Sequence, residues 1–392
     1  MRETIKRCIN EILAFCLNNK MLSKIVKFIY NFIIKLGIIF NSKKIKNEKS
    51  NYEEILEEYS PRPEEKTYFG KNEIVSEEYD LQIIVPAYNV EKYIEECIDS
   101  ILNQKTKYKV LTVIINDGSI DNTGKILEKY KNRTNLEIIE QENQGISEAR
   151  NRGLKELKAK YVMFVDSDDC IFEGSIDKLL DLAIENSLDI VEGSFKRYYF
   201  GKIFEGNKHT NSIKDSKEIL FGFPWGKVIK NIVFKNLKFP LKYQYEDSIF
   251  AWLVYPKRYK IWTIEEDVYL YRVNQKSISW YLKENKRNIE TFYIMKEMLE
   301  NGIGLYNIKI DKNLYLNFLG QVRLNYTRTI NCPEQIKQAI FFETKNLLIK
   351  YFSKNLLLEN YLDKELVKSL LKNNYGKYKF ICKYGRKLWK KI

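Results

Sequence analysis

The chain has 392 residues, 44% hydrophobic and 30% charged, which excludes a disordered or fibrous protein and allows one large core or two to three domains. Formal net charge is +14, and it is concentrated at the ends: +8 over residues 1–50, −7 over 51–80, +4 over 81–330 and +9 over 331–392. Six cysteines without a CxxC pair fit a reducing compartment and argue against zinc, and the single histidine leaves no HExxH site. That residue, His209, stands in the polar run EGNKHTNS and is expected in a loop, so acid–base chemistry falls to carboxylates.

Residues 21–40, MLSKIVKFIYNFIIKLGIIF, gather Lys24, Lys27, Asn31 and Lys35 on one helical face. Ile25, Val26, Phe28, Ile29, Phe32, Ile33 and Leu36 cover the other. Lysines at bilayer depth are costly, so an interfacial helix is expected over a span, with packing on the protein's own core as the alternative. No small-residue cleavage site follows a short apolar core, so a secretory signal is not expected. Residues 51–80 are acidic and interrupted by Pro61-Arg62-Pro63, which reads as a linker with a short helix before Ser60. From Leu81, strands are expected at 81–85, 110–115, 136–140 and 161–165, separated by the helices VEKYIEECIDSIL, TGKILEKY and ISEARNRGLKELK. Such alternation implies a parallel sheet with helices on both faces. Beyond about residue 290 the pattern is helical.

Three strand ends are polar: Pro86-Ala87-Tyr88-Asn89, Asn116-Asp117-Gly118-Ser119 and Asp166-Ser167-Asp168-Asp169. Ligands of open parallel sheets bind beyond the carboxyl ends of the strands. That placement makes the aspartates of YVMFVDSDDC more than ordinary turn formers, although Asp169 also suits a cap on the following turn. No GxGxxG follows the first strand, and GFPWGKV lacks the spacing of a P-loop. Cys170 and Ile171 stand where a calcium loop needs an oxygen ligand and a glycine. Without a phosphate-cradling loop, a hard divalent cation on carboxylate could carry phosphates.

The stretches IIVPAYNVEKYIEECIDSILNQ, VIINDGSIDNTGKIL, NQGISEARNRGL and YVMFVDSDD resemble successive motifs of the family 2 glycosyltransferases. The resemblance continues through FPWGKVIKNIVFKNLKFP, YQYEDSIFAWLV and YLYRVNQKSIS, covering roughly residues 81–280. It implies the A-type glycosyltransferase fold: α/β, Rossmann-like, with a mixed, mostly parallel sheet flanked by helices, here with helical N- and C-terminal extensions. The resemblance does not reach residues 1–80 or 300–392; joined to the segments read above, it gives an expected organisation of a basic amphipathic segment (1–50), the acidic linker (51–80), a catalytic domain (81–290) and a helical C-terminal region (291–392). The catalytic domain would divide into a nucleotide-binding half (81–170) and an acceptor half (171–290).

The resemblance also implies roles. Asp117 would accept a bond from the nucleobase, and Pro86, Ala87, Tyr88 and Asn89 would line the base and ribose pocket. Arg150 and Asn151 would reach the nucleotide. Asp168 would bind Mn²⁺ or Mg²⁺ on the diphosphate, with Asp166 facing the ribose or the metal shell. Asp247 would be the base, Glu246 would contact the acceptor, and Trp225 and Lys227 would border the acceptor or diphosphate. The implied reaction is inverting, metal-dependent transfer from a nucleoside-diphosphate sugar, UDP-linked by default. The acceptor would be a sugar or lipid-linked hydroxyl in cell-surface polysaccharide or glycolipid synthesis. The basic aromatic tail KYKFICKYGRKLWKKI (377–392) and the N-terminal segment suit an anionic leaflet. A cytoplasmic protein, peripheral on the inner face of the membrane and without nucleic acid, is expected. The alternatives are a nucleic-acid-binding protein with basic arms and an inert transferase-like scaffold.

Overall fold

The computed structural model describes residues 32–47, 51–63, 67–215, 220–274, 285–352 and 358–389. Two units emerge, one of Arg62–Lys309 and one of Met1–Pro61 with Ile310–Ile392. In the Arg62–Lys309 unit the chain opens with β1 (Glu73–Ala87), α1 (Ile94–Leu102), β2 (Val110–Asp117), α2 (Thr123–Glu128) and β3 (Leu136–Gln141). It continues through α3 (Ile146–Leu154), β4 (Glu156–Phe164), β5 (Cys170–Ile171), α4 (Ser175–Glu185) and β6 (Ile190–Tyr199). β7 (Lys202–Glu205), β8 (Ser212–Asp215), β9 (Lys227–Lys230), β10 (Lys260–Arg272) and α5 (Glu290–Leu305) complete it.

The strands form one sheet in the order β3-β2-β1-β4-β9-β6-β10-β5, with β7 on β6 and β8 on β10. β1 to β4 are parallel neighbours, β6 and β10 form a second parallel pair, and antiparallel β9 joins the two sets. This is the mixed, mostly parallel sheet expected. The strand period of two decides what each face buries. Leu81, Ile83 and Val85 meet Ile94, Cys97, Ile98 and Ile101 of α1, which recur at helical spacing. On the opposite face Leu111, Val113 and Ile115 of β2 pack with Ala149 of α3.

α3 ends at Leu154, and β4 has begun by Glu156, earlier than the helical pattern suggests. The cause is a buried side chain. Gln82 Nε2 donates to the carbonyls of Gly153 (2.9 Å) and Glu156 (3.2 Å), and its Oε1 accepts from Lys158 N–H (2.9 Å). With β4 started early, Glu73 pairs opposite Glu156 and lengthens β1 toward its N-terminus. The acidic stretch 51–80 therefore carries a helix, Tyr52–Tyr59, and the first part of β1.

The other unit is helical in its described residues: 32–40, Tyr52–Tyr59, Lys312–Arg328, Glu334–Phe352, Tyr361–Leu371 and Tyr375–Trp389. Aromatic rings join these helices, with Tyr52 stacked on Phe342 (4.8 Å) and Tyr315 on Phe352 (4.9 Å). The two basic ends of the chain meet here. Gly376 N–H donates to Lys43 O (2.9 Å), and Ile45 N–H donates to Asn373 O (3.0 Å). The helix at 32–40 buries Ile34 and Ile38 and exposes Phe32, Ile33, Leu36, Ile39 and Phe40. Residues 1–31 of the expected amphipathic segment, 390–392 of the tail and 275–284, which include the end of YLYRVNQKSIS, lie outside the described residues.

The seating of α3 on the sheet depends on a missing side chain. A Cβ at Gly153 would stand 2.5 Å from Ile84 Cγ2. Gly153→Ala should therefore lower stability by about 1–3 kcal/mol, read from the urea midpoint.

Candidate active site

Parallel register brings the three polar strand ends to one edge, with Ala87 opposite Asn116, Asp117 opposite Gln141 and Ile84 opposite Phe164. At the end of β2, Asp117 is buried. Its Oδ1 accepts from Gln141 Nε2 (2.7 Å) and Gln144 N–H (2.9 Å), and its Oδ2 accepts from Gly145 N–H (2.8 Å). The carboxylate thus anchors the loop that opens α3. Gly118, at φ +69°, allows the close approach, since a Cβ there would lie 2.7 Å from Asn143 N. At the end of β1, Pro86 and Ala87 are buried, and Tyr88 just beyond it is exposed. Asn89 accepts from Ile120 N–H (2.9 Å) and donates its own N–H to Ser119 Oγ (3.1 Å), so it fastens the neighbouring loop.

Each aspartate of the acidic turn after β4 has a different environment. Asp166 Oδ1 accepts from Arg150 (2.9 Å), and its N–H donates to the Tyr269 hydroxyl (3.0 Å). Asp169 is buried, accepting from Tyr269 OH (2.8 Å) and Arg272 N–H (2.6 Å). Burial and the charges of Asp168 and Asp166 push the Asp169 carboxyl well above the usual range. Asp168 is pushed up to about 6 by burial and by Asp166, against the opposing pull of an Asn274 hydrogen bond and Arg272. Arg272 braces the turn from β10. Its Nε donates to Asp168 O (2.8 Å), and its guanidinium lies over the rings of Tyr93 (5.0 Å) and Tyr198 (4.8 Å). Among the described residues no three His, Cys, Asp or Glu side chains converge as a ready metal cage.

The second carboxylate pair, Glu246 and Asp247, precedes a π-helical segment, Phe250–Val254, a form that recurs at functional sites. Arg150, 2% exposed, joins this pair to the acidic turn by donating Nη1 to Glu246 Oε1 (2.8 Å) and Nη2 to Asp166 Oδ1 (2.9 Å). Burial disfavours the Arg150 cation, and the two carboxylates more than compensate. Trp225 stacks on Tyr269 (4.4 Å), Phe223 (4.5 Å) and Tyr271 (5.6 Å), forming an aromatic wall beside the turn.

Two sequence expectations need correction, those for Asn151 and Lys227. Arg150 is a buried bridge between two carboxylates, with both terminal nitrogens engaged by protein. Asn151 does not face a ligand, because its amide clips the main chain of Phe239, donating to its O (2.9 Å) and accepting from its N–H (2.7 Å). Lys227 is fully buried in an ion pair with Glu192, so it does not border diphosphate or acceptor. His209 lies in a loop, as expected, with its ring buried against the same Glu192 (2.8 Å). Tyr269, Arg272 and Asn274 were missed as supports of the turn; the only signal was their position in the YLYRVN run.

A Rossmann-like mixed sheet with these acidic strand ends has the architecture of an A-type glycosyltransferase. The glycosyl transferase family 2 model matches residues 82–241. EpsJ of Bacillus subtilis (strain 168), an uncharacterized glycosyltransferase, is 32% identical over 282 residues, spanning 66% of this chain and 82% of EpsJ. Glycosyltransferase GlyA of Streptococcus pneumoniae is 32% identical over 218 residues, 51% of this chain and 31% of GlyA. The crystal structure of Staphylococcus aureus TarS 1–349 in complex with UDP-GlcNAc has a similar fold. It superposes with a TM-score of 0.53 at 22% identity, covering 78% of this chain and 91% of that one. The chain belongs to glycosyl transferase family 2 and is a glycosyltransferase.

The raised Asp168 carboxyl makes a stability prediction. With a folded value of about 6 against about 3.9 unfolded, its favourable contribution is present below pH 4 and lost as pH rises through 6. Asp168→Asn should therefore stabilise the metal-free protein at pH 7.5 by about 1–2 kcal/mol and much less at pH 4, as read from urea unfolding.

Proposed function

We propose that the chain transfers a sugar from a nucleoside-diphosphate donor to an acceptor hydroxyl in one inverting displacement assisted by a divalent cation. The observation that carries this reading is the Arg150 bridge, which brings Asp166 of the donor motif and Glu246 of the acceptor motif to one site. Asp117, fixed by three hydrogen bonds, takes the nucleobase, and the Pro86–Asn89 loop borders base and ribose. UDP is the default nucleotide because the TarS structure was solved with UDP-GlcNAc.

Mn²⁺ or Mg²⁺ fits Asp168 and Asp166. Both present hard oxygen, and the charge of Asp168 is undercompensated, as its raised carboxyl records. Such ions need only one or two protein carboxylates when substrate phosphates complete the shell. When bound, the ion neutralises charge on the departing diphosphate. Asp247 takes the acceptor proton as the hydroxyl attacks, and Glu246 orients the acceptor while Arg150 fixes Glu246. With the base on the acceptor side and the diphosphate held opposite, direct attack inverts the anomeric carbon.

The acceptor is a sugar or lipid-linked hydroxyl in cell-surface polysaccharide or glycolipid synthesis. TarS, a poly(ribitol-phosphate) beta-N-acetylglucosaminyltransferase, supports that class by likeness. Peripheral attachment to the inner face of the membrane accords with it. Among the described residues no helix is long and apolar enough to cross a bilayer. Phe32, Ile33, Leu36, Ile39 and Phe40 form an exposed apolar strip followed by exposed Lys43, Lys44 and Lys46. Each lysine near an anionic surface contributes about 1 kcal/mol.

Asp247→Asn should lower sugar transfer by about 10²–10⁴-fold with nucleotide affinity intact, measured by UDP release and calorimetry. An unchanged rate would remove Asp247 as the base. In flotation with anionic vesicles, replacing Phe32, Ile39 and Phe40 by Ser should leave the protein at the bottom of the gradient; continued flotation would reject this attachment face.

A further inference from the structure

A second buried ionic cluster lies behind the acceptor side. Glu192 of β6 and Lys227 of β9 are cross-strand partners, both fully buried. The Lys227 ammonium pairs with Glu192 and donates to Phe221 O (2.8 Å) and the Tyr255 hydroxyl (3.0 Å). Glu192 Oε2 accepts from Phe221 N–H (2.9 Å) and contacts His209 Nε2 (2.8 Å). The His209 ring stacks on Phe221 (4.1 Å), and its main-chain N–H donates to Ser194 Oγ (2.8 Å). Tyr255 OH also donates to Phe221 O (2.8 Å).

This cluster grips the chain on both sides of the π-helical segment. Lys227 Nζ lies 5.3 Å from the Phe250 ring centre and 5.7 Å from that of Tyr255, the residues that begin and follow Phe250–Val254. Phe250 N–H donates to Asp247 O (3.1 Å), so Asp247 starts the same turn. A buried ion pair is a weak stabiliser compared with apolar packing of equal volume, because both ions lose hydration. Stability alone is therefore a poor reason for charges here. The Lys227 cation is also within electrostatic reach of Asp247: burial lowers its proton affinity, while Glu192 and Asp247 oppose that effect. Tyr255 is kept protonated by burial and by the same two carboxylates, so it stays a donor to Phe221.

We propose that Lys227 is a positioning residue for the reaction: clamped by Glu192 and seated against Phe250 and Tyr255, it fixes the turn that begins at Asp247. The proposal rests on Asp247 being the acceptor base.

The test compares kcat and KM for wild type, Lys227→Met, Lys227→Arg, Glu192→Gln and Asp247→Asn, with donor affinity by calorimetry. Lys227→Met should lower kcat by about 10–10²-fold with donor affinity unchanged. Lys227→Arg, which keeps a cation for Glu192 to clamp, should recover part of that loss. Glu192→Gln removes the clamp and should lower kcat in the same direction as Lys227→Met. A merely structural role would reduce the amount of donor-binding protein and leave kcat per donor-binding site unchanged. If Asp247→Asn is inactive while Lys227→Met keeps the wild-type kcat, this inference fails and the base assignment stands. If Asp247→Asn transfers sugar at the wild-type rate, the base assignment fails and carries the inference with it.

Discussion

The Arg150 guanidinium lies between two carboxylates that would otherwise repel each other, and the arrangement of the two acidic motifs follows from how it is held. Its two terminal nitrogens point to different partners, Asp166 and Glu246, a task suited to a planar fork and not to the single charge of a lysine. Removing such a buried cation leaves two unpaired anions, a defect of about 3–5 kcal/mol. The surrounding chain fixes the fork. The Phe239 ring lies 5.2 Å from the guanidinium carbon, while the next residue of α3, Asn151, clips the Phe239 main chain. Consecutive residues of one short helix thus seize the ring and the backbone of a single distant residue. That double grip explains why α3 must sit close to the sheet over Gly153.

The acidic turn divides its charges with similar economy. Asp166 is matched by Arg150, and Asp169 is absorbed into the scaffold through Tyr269 and the Arg272 main chain. Asp168 has weaker compensation, and its carboxyl is raised in consequence. A fold selected only for stability has little reason to keep three aspartates so near. Under the proposed reaction that excess negative potential serves a cation arriving with phosphates, because the repulsion that raises the Asp168 carboxyl also favours a positive ligand.

Much of this was legible in the sequence because strand ends are local features. The apolar runs before Pro86, Asn116 and Asp166 mark where strands stop, and parallel topology then brings those stops together. What was not legible depends on partners far along the chain. Nothing local to Lys227 indicates that Glu192 lies opposite it, and nothing in EGNKHTNS shows that His209 turns inward to the same carboxylate. Asn151 looks like a ligand-facing polar residue until Phe239 is found against it. The early end of α3 has the same origin, since Gln82 captures its last turn from a strand some seventy residues away. Side chains such as Glu192 and Gln82 are polar residues at interior strand positions, where a periodic reading assigns burial but cannot name the partner.

The short antiparallel strand β9 explains why these long-range pairs cluster. It is the seam between the parallel set ending in β4 and the parallel pair β6–β10, with β4 on one side and β6 on the other. Residues entering it must therefore satisfy both halves of the sheet. Trp225 bridges to Phe164 at the end of β4 and stacks on Tyr269 of β10, whose hydroxyl joins Asp166 and Asp169. Two residues later, Lys227 reaches Glu192 of β6 and the Tyr255 end of the segment introduced by Asp247. One seam of four residues and the turn before it thus touch the acidic turn, the aromatic wall and the flank of the second carboxylate pair. A displacement of β9 would disturb all three together, so the buried Lys227–Glu192 pair acts where a loss of register would be most damaging to the site's geometry.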